Sequence, residues 1–423
     1  MRSLAAIFVC ACIPGAEKGT MGLTMEFRIL KKSKKSRARA AVIMTSHGEV
    51  ETPALVGVAT QATIKTLTSE EVKAAKSQLL ICNTFHLHLK PSEKVVKSAG
   101  GLHAFMRWDR PLLTDSGGYQ VFSMGFGKEM KLGKMVMDKK RVASLSNQTI
   151  TARHKPKAIR IAHDGVYFRS PLNGQELFLG PEESMKIQRD LGADIIFAFD
   201  ECPPPTADRS YILKSLERTH RWAKISRQAA SRRQALFGII QGGKYKDLRI
   251  ESARYIRSLP FEGFGIGGEL GFDKKGMFQM IKWVTDELPG DKPRHLLGNG
   301  HIEDLREIFR SGVDTVDCIV PTHYARHGVA FINSEDRGIN NPERNRRVAR
   351  DRLDFNKLTY INDKKPIDST CKCLVCGSYT RSYINHLYRA REITAMRLLT
   401  MHNLFFFNTA VENIRKDIAR GKL

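Results

Sequence analysis

No run of roughly 18 apolar residues occurs anywhere in the chain, so no segment is long enough to cross a bilayer as a helix. Cysteine is sparse: eight in 423 residues, three of them crowded at 371–376 and the rest scattered. That distribution excludes a secreted disulfide framework and fits a reducing cytoplasm. No Gly-x-Gly-x-x-Gly follows the first apolar run, which argues against a dinucleotide fold. Acidic residues are in deficit, 44 against 69 Lys and Arg, giving a net charge of +25 and an isoelectric point near 9.8. Such an excess points to a polyanionic partner. The opening "MRSLAAIFVCACIPGA" has the outline of a weak signal peptide, yet Met21 and Met25 follow closely. Residues 1–24 therefore read as an over-long start more than as an export signal.

The basic residues are clustered. "KKSKKSRAR" (Lys31 to Arg39) opens the globular part, residues 128–160 hold ten Lys/Arg against two acids, and "RNRRVARDR" spans Arg344 to Arg352. Each is a solvated face or arm by default; together they could follow a phosphate backbone.

Short apolar, β-branched-rich runs recur along the chain, most of them stopping at a polar residue or glycine. They are "ALVGVAT" (54–60), "LLICNT" (79–84), "PLLTD" (111–115), "DIIFAFDE" (194–201), "LFGIIQGG" (236–243), "FGIGGE" (264–269), "RHLLGNG" (294–300) and "DTVDCIVP" (314–321). Between them lie helical segments: "TSEEVKAAKSQ" with a start at Ser69 to Val72, "PEESMKIQRDLG" with Pro181 in its first turn, and "IEDLREIFRSG" closed by Gly312. Eight strand–helix units predict an α/β fold, a (β/α)8 barrel over 25–335, with a basic insertion at about 128–160 after the third strand. A C-terminal region, 336–423, packs on it. In such a barrel the chemistry collects where strands end. Here those ends are Asn83, Asp115, Asp200, Gln241, Gly268, Gly298 and Asp317, a polar ring suited to a flat, hydrogen-bonding ligand.

A strand-end Asp is more commonly a helix cap or ion-pair partner than a nucleophile. Two of them across one barrel mouth can act on a sugar C1′ as nucleophile and acid/base, with retention through a covalent intermediate. In "CKCLVC", Cys371, Cys373 and Cys376 supply three thiolates, and His386 or His402 the fourth ligand of a closed, structural Zn2+ site.

Taken in order, "LTDSGGYQVFS", "FAFDEC", "FGIIQGG", "VDCIVPT", "CKCLVC" and "HNLFFF" resemble the tRNA-guanine transglycosylases of bacterial type, from about Met25 to the C-terminus. The resemblance implies a zinc-containing barrel that exchanges the wobble guanine of GUN-anticodon tRNAs (Asp, Asn, His, Tyr) for a 7-deazaguanine base, in queuosine modification. It implies a cytoplasmic homodimer with no redox cofactor and no membrane association. Residue by residue, it makes Asp317 the nucleophile and Asp115 the acid/base group. Asp200, Gln241 and the Gly268 N–H read the base edge, Tyr119 covers the ring, and Ser116, Gly117 and Gly118 let backbone approach it. His402 becomes the fourth zinc ligand. RNA contacts fall on Gly298, Asn299, Gly300, His301, Ile302, Glu303 and Asp304, and on Thr322, His323, Tyr324, Ala325 and Arg326.

The chain departs from the family pattern at Glu269, where Leu is usual, at Asp273, where Glu is usual, and at His323, which replaces Arg. Gly271 stands where family enzymes that insert 7-aminomethyl-7-deazaguanine carry Val, and so leaves room for the bulkier queuine. Cys202 keeps a feature of the small-base enzymes, and Glu269 could pair with the amine both bases carry. The rival reading is a non-catalytic RNA-binding accessory subunit of the same fold, which the presence of both Asp115 and Asp317 opposes.

Overall fold

The computed structural model describes residues 24–129, 151, 158–268, 274–333 and 352–423, without the side chains of 124–129. Nearly all of the 1–24 extension and the 128–160 insertion, most of the block 344–352, and Glu269, Gly271 and Asp273 lie outside the described residues.

The chain opens with an antiparallel sheet the sequence reading did not anticipate: β1 (Glu26–Lys32), β2 (Arg39–Thr45) and β3 (Gly48–Thr52). It then enters the barrel with β4 (Ala54–Val58), β5 (Leu79–Cys82) and β6 (Leu112–Thr114). A second small sheet follows, also unanticipated, of β7 (Ile159–Ile161), β8 (Val166–Arg169) and β9 (Glu176–Leu179). The barrel resumes with β10 (Ile195–Phe197), β11 (Ala235–Ile240), β12 (Gly263–Ile266), β13 (Arg294–Leu296) and β14 (Thr315–Cys318). Its eight strands are all parallel and close when β14 pairs back onto β4, with Asp317 opposite Val56. Six lie within the eight apolar runs, and β11 and β12 begin one residue before theirs, at Ala235 and Gly263. Finally β15 (Val329–Phe331) pairs antiparallel with β16 (Arg352–Asp354).

Alternation along the strands decides which side chains meet. On β11, Ala235, Phe237 and Ile239 pack inside the barrel, while Leu236 and Ile240 join the layer under the helices. The interior cluster also takes Phe197 from β10 and, at one end, Met25, Ile43 and Val50 from the N-terminal sheet. That sheet therefore closes the amino end of the barrel. The first barrel helix, Ser69–Ala74, begins at the expected Ser69 and is capped by Thr68 in a reciprocal box with Glu71. Helix Pro181–Leu191 begins at the predicted proline, and Gly192 ends it in the left-handed region.

The basic run 31–39 is not a free arm. It forms the turn between β1 and β2, and Arg39 is buried against Asp314 in a bidentate pair at 2.6 and 2.7 Å. The same guanidinium donates to the Lys292 carbonyl at 2.6 Å, and Asp314 also accepts the Arg294 N–H at 2.7 Å. Arg37 pairs with Asp286 at the surface. Among the described residues, no helix is long and apolar enough to cross a membrane. Removing one partner of a buried ion pair leaves the other charge desolvated, so Arg39→Leu is expected to cost about 3–5 kcal/mol in urea unfolding. Arg37→Leu, at an exposed pair, is expected to cost at most about 1 kcal/mol.

Candidate active site and metal centre

Asp115 follows β6 directly and is held from neighbouring strand β5. The Thr84 N–H donates to its Oδ1 at 2.9 Å, while the Asn83 amide and, at 3.3 Å, the Gln120 amide donate to Oδ2. Asn83 also caps the helix Thr84–Leu89, accepting the His86 N–H at 2.9 Å, so one side chain sets both the helix start and the carboxylate. Burial pushes the Asp115 carboxyl up to about 7; the charge of Asp317 adds to the rise, while the Thr84 and Gly117 N–H groups and Gln120 oppose it.

The turn after Asp115 is glycine-rich for reasons of its own. Gly117 has φ +80°, and a Cβ on Gly118 would lie 2.6 Å from the Asp200 carbonyl oxygen. The space under Gly118 is thus filled by the end of β10, and this turn locks two strand ends together. Ser116 is buried there, with Oγ 3.4 Å from Asp200 Oδ1, and Tyr119 stands 55% exposed at the rim.

Asp200 is fixed by Gln241, whose Nε2 donates to Oδ2 at 2.7 Å. Burial lifts its carboxyl to about 6, against the pull of Gln241 and Ser116. The Gln241 Oε1 is buried and has no partner, an acceptor left open beside a carboxylate. Gly268, at φ +84°, completes this corner, because a Cβ there would sit 2.5 Å from that oxygen. Beneath it, Arg249 is fully buried and donates to the carbonyls of Gly243 and Gly267, both at 2.7 Å, and more weakly to that of Ile240, tying the ends of β11 and β12. A narrow cleft leads away from Gln241 and Gly268 between Pro203, Pro204, Ile212 and Tyr245.

Asp317 lies on β14. Its Oδ1 accepts the Gly298 N–H at 2.8 Å and meets His295 Nε2 at 3.1 Å. The carboxylate can only accept, so Nε2 carries the hydrogen and Nδ1 accepts from Thr315 Oγ1 at 2.8 Å. Both bonds fall on Oδ1; among the described residues none goes to Oδ2.

The stretch expected to meet RNA is divided by burial. Asp304 is buried and, with Glu303, pairs with Lys274. Gly300 backs onto Cys318, and Thr322 and Ala325 are buried in the helix Val320–Arg326. Gly298 lies beside the site through its bond to Asp317. Asn299, His301, Ile302, His323, Tyr324 and Arg326 keep partial exposure. His323 packs against His327, and Tyr324 lies under Arg352.

At the C-terminal end, Cys371, Cys373, Cys376 and His402 offer ligand atoms that all lie within 4.8 Å of one another. His402 Nδ1 is 3.3–3.8 Å from the three sulfurs, and its Nε2–H donates to the Phe331 carbonyl at 2.7 Å. That bond fixes the tautomer a metal ligand needs. His386 is exposed on the helix Arg381–Arg389 and takes no part. The cluster can hold a metal ion, joining the long helix Ile393–Ala419 to the Cys371–Cys376 segment beside β15.

Of these residues, His295 and Thr84 were not flagged from sequence. A histidine inside an apolar strand and a backbone N–H carry no local signal of function; Asn83 was visible as a strand end.

The closed parallel barrel, with three carboxylates at the carboxyl ends of its strands and a separate thiolate–imidazole cluster near the C-terminus, places the chain in the class of α/β-barrel proteins that keep their polar residues at the strand ends. The chain belongs to the queuine tRNA-ribosyltransferase family, a family of pentosyltransferases, whose family model matches residues 33–423. A protein of Archaeoglobus fulgidus is 43% identical over 94% of this chain and 97% of its own. Queuine tRNA-ribosyltransferases of Halothermothrix orenii and Bacillus subtilis are each 40% identical, over 95% and 94% of this chain and 95% and 93% of theirs.

The raised carboxyls have a consequence for stability. Unfolded Asp115 and Asp200 ionise near 3.8 but resist ionisation in the fold until about 7 and about 6. Their contribution is complete below the unfolded value and is lost as pH rises through the folded one. Unfolding free energy should therefore fall by a few kcal/mol between about pH 4 and 7 from these groups, and Asp115→Asn should flatten that fall, read by urea denaturation across the range.

Proposed function

We propose that this enzyme exchanges the wobble guanine of GUN-anticodon tRNAs for a 7-deazaguanine, by double displacement through a covalent enzyme–tRNA intermediate. The observation that carries the reading is the pairing at one barrel mouth of Asp317, with Oδ1 doubly held, and half-buried Asp115, whose carboxyl is raised to about 7 in part by the Asp317 charge. Two carboxylates of unequal environment are what a retaining glycosyl transfer uses.

In this reading the target nucleotide is splayed out of the anticodon loop so that its sugar reaches the site. Asp317 Oδ2 attacks C1′ as the bond to guanine N9 breaks, and the Asp115 carboxyl gives its proton to N9 so that neutral guanine leaves. Asp115 then takes the N9 proton of the incoming base, whose nitrogen attacks C1′ and releases Asp317. Asp200, Gln241 and the Gly268 N–H read the base edge, the open Gln241 Oε1 accepting an N–H donor of the heterocycle. Tyr119 covers the ring from the rim. Exposed members of 298–304 and 322–326 position the anticodon, and the remaining surface charge supplies backbone affinity rather than sequence choice. Gly271 supports queuine as the inserted base.

We read residues 25–335 as the catalytic barrel and 336–423 as the metal-binding region, with β15 and β16 lacing the two. Three thiolates and one imidazole favour zinc in a closed, structural site. We further propose a cytoplasmic homodimer; exposed Leu358, Ile361, Leu374, Tyr383 and Ile393 of the C-terminal region supply apolar surface for it.

Labelled guanine should exchange into a GUN tRNA and be chased out by queuine. Asp317→Asn should bind tRNA yet lose exchange by about a thousandfold or more and give no denaturant-resistant adduct. An adduct trapped in that variant overturns the assignment. Metal analysis should find zinc in the unaltered chain and in His386→Ala, and should find it lost in His402→Ala.

A further inference from the structure

The amino end of the barrel, opposite the carboxylate mouth, carries a second group of metal-ligand side chains. Asp194 immediately precedes β10, and its side chain is 1% exposed. His47, in the turn between β2 and β3, brings Nδ1 to 2.6 Å from Asp194 Oδ1. His103, from the helix Gly101–Met106, brings Nε2 to 3.2 Å from Oδ2. The two imidazoles stack face to face, centroids 3.5 Å apart and 11° from parallel. The two nitrogens and one carboxylate oxygen lie within 4.8 Å of one another.

Several features distinguish this group from an ordinary buried ion pair. His103 Nε2 is buried and, despite its distance, lacks the alignment of a hydrogen bond. Asp194 is oriented by donors outside the pair of rings: the Leu112 N–H reaches its Oδ2 at 2.9 Å and the Ser46 hydroxyl its Oδ1 at 3.0 Å. His47 is 39% exposed, so the outer side of the cluster opens to water.

We propose that His47, His103 and Asp194 bind a divalent first-row transition ion, separate from the cysteine cluster. Two imidazoles and one carboxylate suit Zn2+, Co2+ or Ni2+; the all-oxygen shells that Ca2+ and Mg2+ prefer are absent among the described residues here. Coordination at His47 Nδ1 takes the place of its hydrogen bond to Asp194, the ring keeping its one N–H on Nε2, and water completes the coordination on the open side. The ion would join the β2–β3 turn, the helix Gly101–Met106 and the start of β10, clamping the sheet that closes the barrel. Nothing in this depends on the exchange reaction.

The test uses the full chain with its cysteine site loaded, titrated with Co2+ under equilibrium dialysis and followed by absorption. A second ion per chain is expected, with weak ligand-field bands and none of the thiolate charge transfer that cobalt at the cysteine cluster would give. His47→Gln and His103→Gln should each weaken that second ion by about tenfold or more, since even outer-shell partners are worth that much. A single ion per chain in the unaltered protein at saturating Co2+ overturns the proposal, whether or not the variants fold. So does a second ion that survives in the double variant.

Discussion

Closure of the parallel sheet is the constraint on which the rest depends. When β14 returns to β4, every second side chain of eight strands faces one axis. Phe197, Phe237 and Ile239 fill the interior below, and the N-terminal sheet covers the far end. Polar side chains at the carboxyl ends are then solvated from one direction only. A low-dielectric floor under Asp115 and Asp200 raises both carboxyls, and makes each donated hydrogen bond strong enough to matter.

Within that frame the donors separate three residues of one type. Asp115 is clasped on both oxygens by β5 and the following helix start. Asp200 shares its proton acceptors with Gln241 and Ser116, leaving a mixed donor–acceptor edge. Asp317 is held on one oxygen by His295 and Gly298. The Gly118 approach to the Asp200 carbonyl couples the first two, so a displacement of either strand end would disturb both.

The large positive charge has two destinations. Arg39, Arg249 and Arg294 are buried and spend their donors on Asp314 and on backbone carbonyls at strand ends and loops. Arg249 has no carboxylate partner among the described residues, and burial lowers it to about 10; three carbonyl dipoles compensate it instead. These arginines build the barrel. Net charge on its own therefore overstates the cationic surface open to a polyanion.

Much was legible in the chain because its signals are local. Eight short apolar runs, most of them stopping at a polar residue or glycine, specify eight strands and their mouth, since a strand's composition and a turn's chemistry are written in adjacent residues. Three cysteines within six residues specify a metal cluster for the same reason. Tertiary structure alone decided what distant residues do to one another. It chose His402 over His386, because only one faces the sulfurs with its far nitrogen held by the Phe331 carbonyl. It placed His295 behind Asp317, turned Arg39 from an apparent surface charge into a buried ion pair, and paired residues 26–52 into a sheet. None of these has a sequence signature, because each depends on which side of a strand meets which neighbour once the barrel closes.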